Sequence, residues 1–348
     1  MADINILMLG GKRCGKTTVL SSMSMEIGKA LAGTRLQLLP MQNTDVKLRN
    51  AADVIRKKIG EFDNPLIRTT VDENPTGARD VYEFSFQMPG VKPVVINIHD
   101  IPGEWLTDPL HEKEVRALIA VSQVIIIAID TPYLFYKMGR EGYGQYHEEY
   151  NKPREIANFF KNSLSPADIQ DRMVLFVPLK CERYYHLTYT PKLNAYHRNY
   201  MQELFEAVCI GYRDLLFYLR STPQLANSLT IAVTPILSAG GIDFVKFVKD
   251  EQTGRVMSLY QEPEFLADSE KGYSPRFCEQ PIVYALTYVL RLGVDGQWKM
   301  GGFTKSAQNS NQLAMREAYE TLRRKMKRSH SSTYSADGFF MIQNPKNI

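Results

Sequence analysis

Gly10-Gly11-Lys12-Arg13-Cys14-Gly15-Lys16-Thr17 is the segment of this sequence whose residue types and spacing are best suited to chemistry. It matches G-x-x-x-x-G-K-[ST] at every fixed position. Its glycines let successive backbone N–H groups converge on phosphate oxygens. A helix starting near Lys16 aims the positive end of its dipole at the same anion. In that arrangement Lys16 reaches the β- and γ-phosphates and the Thr17 hydroxyl ligates Mg²⁺. Gly10, Gly11, Lys12, Arg13, Cys14, Gly15 and Thr18 are the accompanying nucleotide-binding positions. The alternative is a chance glycine turn.

A second signal is Asp100-Ile101-Pro102-Gly103 at the end of an apolar strand. A carboxylate there can hold the magnesium ion, usually through water, and Gly103 lets a backbone N–H approach the γ-phosphate. By itself D-x-x-G also fits an ordinary strand-end turn. Cys14 sits beside a helix N-terminus and Lys16, surroundings that lower a thiol pKa. A small residue filling the loop is the competing reading. His99 alternates to the face opposite Asp100 and is expected to be structural.

The elements needed to position these groups are visible around them. Ile4–Leu9 is a strand-length apolar run. It leads through the glycine loop into a helix with Val19, Leu20, Met23, Ile27 and Leu31 on one face, ending near Gly33. Asp45 to Ile59 has helical spacing, and 61–80 is loop-like. Val81–Met88 and Val94–Asp100 are joined by P-G-V-K-P, which predicts an antiparallel hairpin. A helix is expected from there to about Val121. Val124–Asp130 and Met173–Lys180 are apolar up to one charged residue at the end, as buried parallel strands are. Between them, 131–172 is a tyrosine- and glycine-rich excursion with a helix around Arg154 to Asn162. Its tyrosines suit either a partner surface or the core. Thr190-Pro191 predicts a helix start, with the helix running to about Arg220. Leu229–Ile236 is the next strand. Residues 243–278 resemble an inserted hairpin, and Glu279–Leu292 an amphipathic helix. A basic helix follows near Asn311 to Arg328, then a tail that is polar except for Phe339 to Ile342. Strands alternating with helices predict an α/β fold with a mostly parallel sheet.

The two motifs, with the hairpin before the second, resemble the small-GTPase-like branch of P-loop proteins. The resemblance covers residues 4 to about 241. At the family level the match is closest to bacterial TRAFAC-class GTPase domains of conflict and phage-defence systems, including double-GTPase domains. It implies a three-layer Ras-like fold with one antiparallel strand. It also implies a base-reading [NT]-K-x-D box, which Leu179-Lys180-Cys181-Glu182 matches at Lys180. Glu182 replaces the aspartate and can still accept hydrogen bonds from guanine. Ser238-Ala239 stands where the family has its final S-A pair. Glu104 occupies the place of the water-orienting glutamine, so Lys16, Glu104 and a switch threonine form the expected catalytic set. A carboxylate facing the γ-phosphate implies slow hydrolysis. Thr76 is the first choice for the switch threonine, with Thr69 and Thr70 as rivals. Arg13 and Arg79 fit arginine fingers or solvated arginines.

The resemblance assigns 1–292 to a GTPase domain with insertions near 34–75, 131–165 and 243–278. It leaves 293–348 as a C-terminal basic helix and tail. The implied function is a GTP-binding switch using GTP/GDP and Mg²⁺. The switch relays a signal to a protein effector, in a bacterial antiviral setting. The open alternatives are an ATPase or nucleotide kinase, and a scaffold with a structural nucleotide. A homo-oligomer is compatible with either.

Composition bounds these readings. The chain has 348 residues, 44% hydrophobic and 23% charged, which excludes disordered and low-complexity classes. Its 42 Lys+Arg against 38 Asp+Glu give a net charge of +4, too small to imply nucleic acid by itself. The one basic cluster, Arg323 to Arg328, suits nucleic acid, an anionic membrane or a solvated helix end. Cys14, Cys181, Cys209 and Cys278 are widely spaced, which fits a reducing compartment. No signal-peptide pattern opens the sequence, and no apolar run approaches the roughly 20 residues of a membrane span. A cytoplasmic location is the expectation.

Overall fold

The structure of the chain is a computed structural model. It describes residues 3–60, 78–135, 137–138, 142–143, 146–167, 169–249, 251, 254, 256–267, 270–295, 305–327 and 337–348. The first apolar run forms β1 (Ile4–Leu9), and the glycine loop leads into α1 (Lys16–Leu31). Then come β2 (Gln37–Pro40), α2 (Gln42–Gly60), the hairpin β3 (Asp80–Gln87) and β4 (Val94–Asp100), α3 (Glu112–Val121) and β5 (Val124–Asp130). The excursion holds α4 (Thr131–Phe135), the two-residue strands β6 (Lys137–Met138) and β7 (Gly142–Tyr143), a π-turn at His147–Asn151, and α5 (Pro153–Ser163). After it lie β8 (Arg172–Leu179), α6 (Glu182–Tyr189), α7 (Tyr200–Gly211), α8 (Arg213–Leu219), α9 (Pro223–Ser228) and β9 (Leu229–Val233). The chain closes with the hairpin β10 (Asp243–Lys249) and β11 (Val256–Gln261), α10 (Gln280–Val294), α11 (Lys305–Lys325) and β12 (Phe340–Gln343).

One eight-stranded sheet runs in the order β12-β9-β8-β5-β1-β4-β3-β2. β4, β1, β5, β8 and β9 are mutually parallel. The expectation of one antiparallel strand is corrected to two. β3 opposes β4, and β12 opposes β9 at the far edge. The apolar patch in the polar tail is thus an edge strand. β2, also absent from the sequence reading, pairs antiparallel with β3 at the other edge. Both are short and lie at edges, where half of the pairing groups face no partner strand and local sequence carries little signal.

Alternation along the central strands divides the core into two faces. Ile4, Ile6 and Met8 pack with Val19, Leu20, Met23 and Ile27 of α1 and with α10 and α11. Leu7 and Leu9 pack with Ile125, Ile127 and Ile129 of β5 and with α3, α5, α7 and α8. Helices therefore cover both sides of the sheet, giving three layers. α10 is buried continuously from Gln280 to Leu290 because α11 covers its outer side, so it is not the one-sided helix its sequence suggested. The helix expected to begin at Thr190-Pro191 is also corrected. Thr190 N–H donates to His186 O and ends α6, and α7 is capped by Asn199, whose side chain accepts from Gln202 N–H. A break at Tyr212 then separates α7 from α8.

Candidate nucleotide-binding site

The loop between β1 and α1 is held in shape by its own backbone and by close neighbours. Arg13 has φ 63° and Gly15, the N-cap of α1, has φ 109°, both in the left-handed region. Gly11 touches the π-turn so closely that a Cβ there would lie 1.7 Å from Tyr150 O. Lys16 Nζ donates to Gly10 O over 3.1 Å and to Gly11 O over 3.3 Å, which places a buried ammonium within the loop.

The end of β4 meets this loop. Thr17 Oγ1 donates to Asp100 Oδ2 over 3.1 Å. Asp100 is fully buried, and its Oδ1 has no hydrogen-bond partner among the described residues. Burial pushes its pKa up, against the opposing pull of Lys16 and the Thr17 hydroxyl. Gly103 lies on the loop backbone. A Cβ there would come 2.2 Å from Lys12 N and 2.4 Å from Gly11 C. Glu104 forms an ion pair with Lys12. Burial pushes the Glu104 carboxyl up, but the Lys12 hydrogen bond and other cationic and backbone contacts outweigh it and hold the pKa below its ordinary value.

Lys180, Glu182, Ser238 and Ala239 meet at the other end of the same cavity. Lys180 N–H donates to Ser238 Oγ over 3.0 Å, and its ammonium lies 2.5 Å from Asp130 Oδ2. Glu182 is buried, and its Oε1 accepts from Ala239 N–H at 2.7 Å and Gly240 N–H at 3.2 Å. Burial raises its pKa, and those backbone donors pull the other way. The cavity, about 370 Å³, runs from Lys12, Arg13, Gly15, Lys16, Thr17, Thr18, Gly103 and Glu104 to this second group. Asn50, Ala51, Val54, Ile55 and Ile59 of α2 also line it, as do Ile242, just before β10, and Tyr260 of β11.

The fold therefore brings together the loop 10–18, Asp100, Gly103, Glu104, Lys180, Glu182, Ser238 and Ala239. Thr69, Thr70 and Thr76 lie outside the described residues. Arg79 donates to Glu114 over 2.8 Å and is absent from the cavity lining. His99 is nearly buried and meets Asn5 Oδ1 at 3.1 Å, a structural contact. The expected lowering of the Cys14 pKa is corrected. Its thiol is buried, and desolvation raises the pKa over the pull of Lys16. All four cysteines are free.

Asp130, Asn151 and the α2 roof are the site residues that sequence reasoning missed. Asp130 carried a signal, a lone carboxylate ending a wholly apolar strand. Asn151 lies in a stretch with no periodicity and carried none. The apolar spacing of α2 predicted a helix but not what its face would cover. Tyr133 stacks on Tyr150, with ring centroids 4.4 Å apart, and on Phe247 at 4.8 Å. These tyrosines thus join the excursion to β10. In the basic cluster, Lys327 Nζ sits 4.4 Å from the Phe277 ring centroid, and Arg324 Nε donates to Glu320 O over 3.2 Å. Arg328 lies outside the described residues.

Hard oxygen donors and one unpartnered buried carboxylate oxygen are what Mg²⁺ takes when phosphates supply other ligands. Thr17 and Asp100 fit that ion. Among the described residues there is no cluster of three or more His, Cys, Asp or Glu for a self-contained metal site. Nor is any described helix long and apolar enough to cross a membrane.

No protein-family model and no curated protein matches this chain. Among solved structures it is similar to the S. cerevisiae Ski7 GTPase-like domain bound to GTP. Identity is 12% and the TM-score 0.37, over 78% of this chain and 48% of that one. It is also similar to LeoA, a bacterial dynamin GTPase from ETEC, at 14% identity and a TM-score of 0.24, over 65% and 37%. The chain thus spans about half or less of these proteins. The likenesses are too loose to transfer any residue's role.

Proposed function

We propose that this chain binds a guanine nucleotide with Mg²⁺ in the cavity between Lys16 and Glu182, hydrolyses the triphosphate slowly, and acts as a nucleotide-dependent switch toward a protein partner. The contact between Thr17 Oγ1 and Asp100 Oδ2 is the observation that carries this reading. It joins the ends of two separate motifs at one point beside the buried ammonium of Lys16.

Thr17 and Asp100 would hold the ion, which would supply charge neutralisation to the phosphates. The residues of the chain do the rest. Lys16 exchanges its two loop carbonyls for phosphate oxygens, and the N–H groups opening α1 complete the cradle. Glu104 faces the γ-phosphate end and accepts a hydrogen bond from water. Its charge opposes that of the phosphate, which accounts for slow turnover. Gly103, packed on the loop, links the γ-phosphate end to the segment after β4, so loss of the phosphate loosens that segment. Relay to an effector in bacterial antiviral defence rests on the family resemblance alone.

Adenine nucleotides are the second reading. Glu182 Oε1 already accepts from the Ala239 and Gly240 N–H groups, so guanine meets a carboxylate with one oxygen engaged rather than the free one that the motif implies. Titration with GDP and with ADP tests the base. Tighter GDP binding supports the guanine reading, and tighter ADP binding replaces it. A scaffold with a structural nucleotide would keep its biological activity in Lys16→Ala.

A further inference from the structure

Lys12 and Glu104 stand on the two segments that close the phosphate end of the cavity. Lys12 is in the loop before α1, and Glu104 opens the turn after Asp100. Their side chains meet as an ion pair between Nζ and Oε1. Their backbones meet too, because Gly103 leaves no room for a side chain against Lys12 N. Glu104 Oε2 is buried and has no hydrogen-bond partner among the described residues. Both residues line the cavity beside Lys16 and Thr17.

A carboxylate beside a γ-phosphate is repelled by it, and would protonate or turn away if left alone. Lys12 supplies the missing counter-charge on one oxygen. The other oxygen has no hydrogen-bond partner among the described residues.

We propose that Lys12 is a positioning residue for hydrolysis. It neutralises Glu104 through Oε1 and fixes it so that Oε2 accepts a hydrogen bond from the attacking water. This rests on the nucleotide-binding reading above. In the step, the water oxygen bonds to the γ-phosphorus as the bond to the β,γ-bridging oxygen breaks. The electron pair leaves on the nucleoside diphosphate, and the proton of the water ends on the released phosphate. Glu104 begins and ends the step as a carboxylate. A neutral amide at position 104 needs no counter-charge, so the role of Lys12 must vanish when Glu104 is replaced by glutamine.

The test is single-turnover hydrolysis and triphosphate affinity across about pH 5 to 9 for the full chain, Lys12→Ala, Lys12→Arg, Glu104→Gln and the Lys12→Ala/Glu104→Gln pair. We expect Lys12→Ala to slow hydrolysis by about tenfold or more while affinity changes less than about threefold. Its acid limb moves to higher pH, because the burial of Glu104 is no longer opposed by the ammonium. Lys12→Arg keeps the charge and recovers most of the rate. With Glu104→Gln present, Lys12→Ala costs less than about twofold. Equal losses in both backgrounds, or a loss confined to affinity, would make Lys12 a phosphate contact and overturn the proposal. A chain that binds no nucleotide removes both this inference and the reading beneath it. A chain that binds and hydrolyses without coupling removes this inference alone.

Discussion

The side-chain amide of Asn151 closes the end of β5 by exchanging two hydrogen bonds with the backbone of Asp130. Asp130 N–H donates to Asn151 Oδ1 over 2.8 Å, and Asn151 Nδ2 donates to Asp130 O over 3.0 Å. The same Nδ2 meets His147 Nδ1 at 3.0 Å, so the ring proton of His147 sits on Nε2 and donates to Gly211 O over 3.2 Å. The π-turn from His147 to Asn151 is thereby fixed to the sheet. Because Tyr150 O touches Gly11, that anchoring reaches the phosphate loop.

His147 makes this anchor pH-sensitive. Burial pushes its pKa down to about 4. Above about pH 6.5 the ring is neutral in both the folded and unfolded chain, and its contribution is flat. From about 6.5 down to 4 the unfolded chain takes up a proton that the folded chain refuses, so stability falls, by up to a few kcal/mol from this group. Urea denaturation at about pH 7 and pH 5 should show a smaller loss for His147→Gln than for the unaltered chain. Equal losses would contradict the assignment.

Asp100→Asn should separate stability from function. Desolvation of the buried carboxylate outweighs the pull of Lys16 and Thr17, so its charged form is disfavoured there. An amide removes that cost, and we expect the ligand-free melting temperature to rise by about 2 °C. The magnesium dependence of nucleotide affinity should fall by about tenfold or more. A variant with unchanged magnesium dependence would remove Asp100 from the ion site.

Gly103→Ala tests the close approach to the loop. The added methyl would meet the Lys12 and Gly11 backbone, which cannot rotate aside. A loss of about 1–3 kcal/mol in stability is expected, together with slower hydrolysis. Thermal melts that match the unaltered chain would show that the two segments do not meet in solution.

Lys180→Met should be among the costlier substitutions. It removes the ammonium from Asp130, which is almost wholly buried. A cost of about 3–5 kcal/mol is expected, and adding Asp130→Asn should recover part of it. Denaturation of the single and double variants measures both. A double variant less stable than the single one would show that the pair is not the source of the effect.

The phosphate loop, the β3–β4 hairpin and Asp100 were legible because each is set by local chemistry: glycines at fixed spacing, a short turn and a carboxylate ending an apolar strand. The split of α7 from α8 and the restart capped by Asn199 were not, since Thr190-Pro191 offered a plausible start whose hydrogen bond instead ends α6. β2 and β12 were hidden because edge pairing depends on a partner strand distant in sequence. At the base end the residue types at Lys180 and Glu182 were readable. The pairings of Lys180 with Asp130 and of Glu182 with the Ala239 and Gly240 N–H groups were not, because three separate strand ends bring them together.

The most direct measurement is calorimetric titration of the full chain and of Lys16→Ala with GTP, with and without magnesium. The account predicts magnesium-dependent binding to the unaltered chain, weakened by about a hundredfold or more in Lys16→Ala, whose ammonium supplies charge-assisted bonds to the phosphates. Equal affinity in the two proteins, or no binding to either, would contradict it.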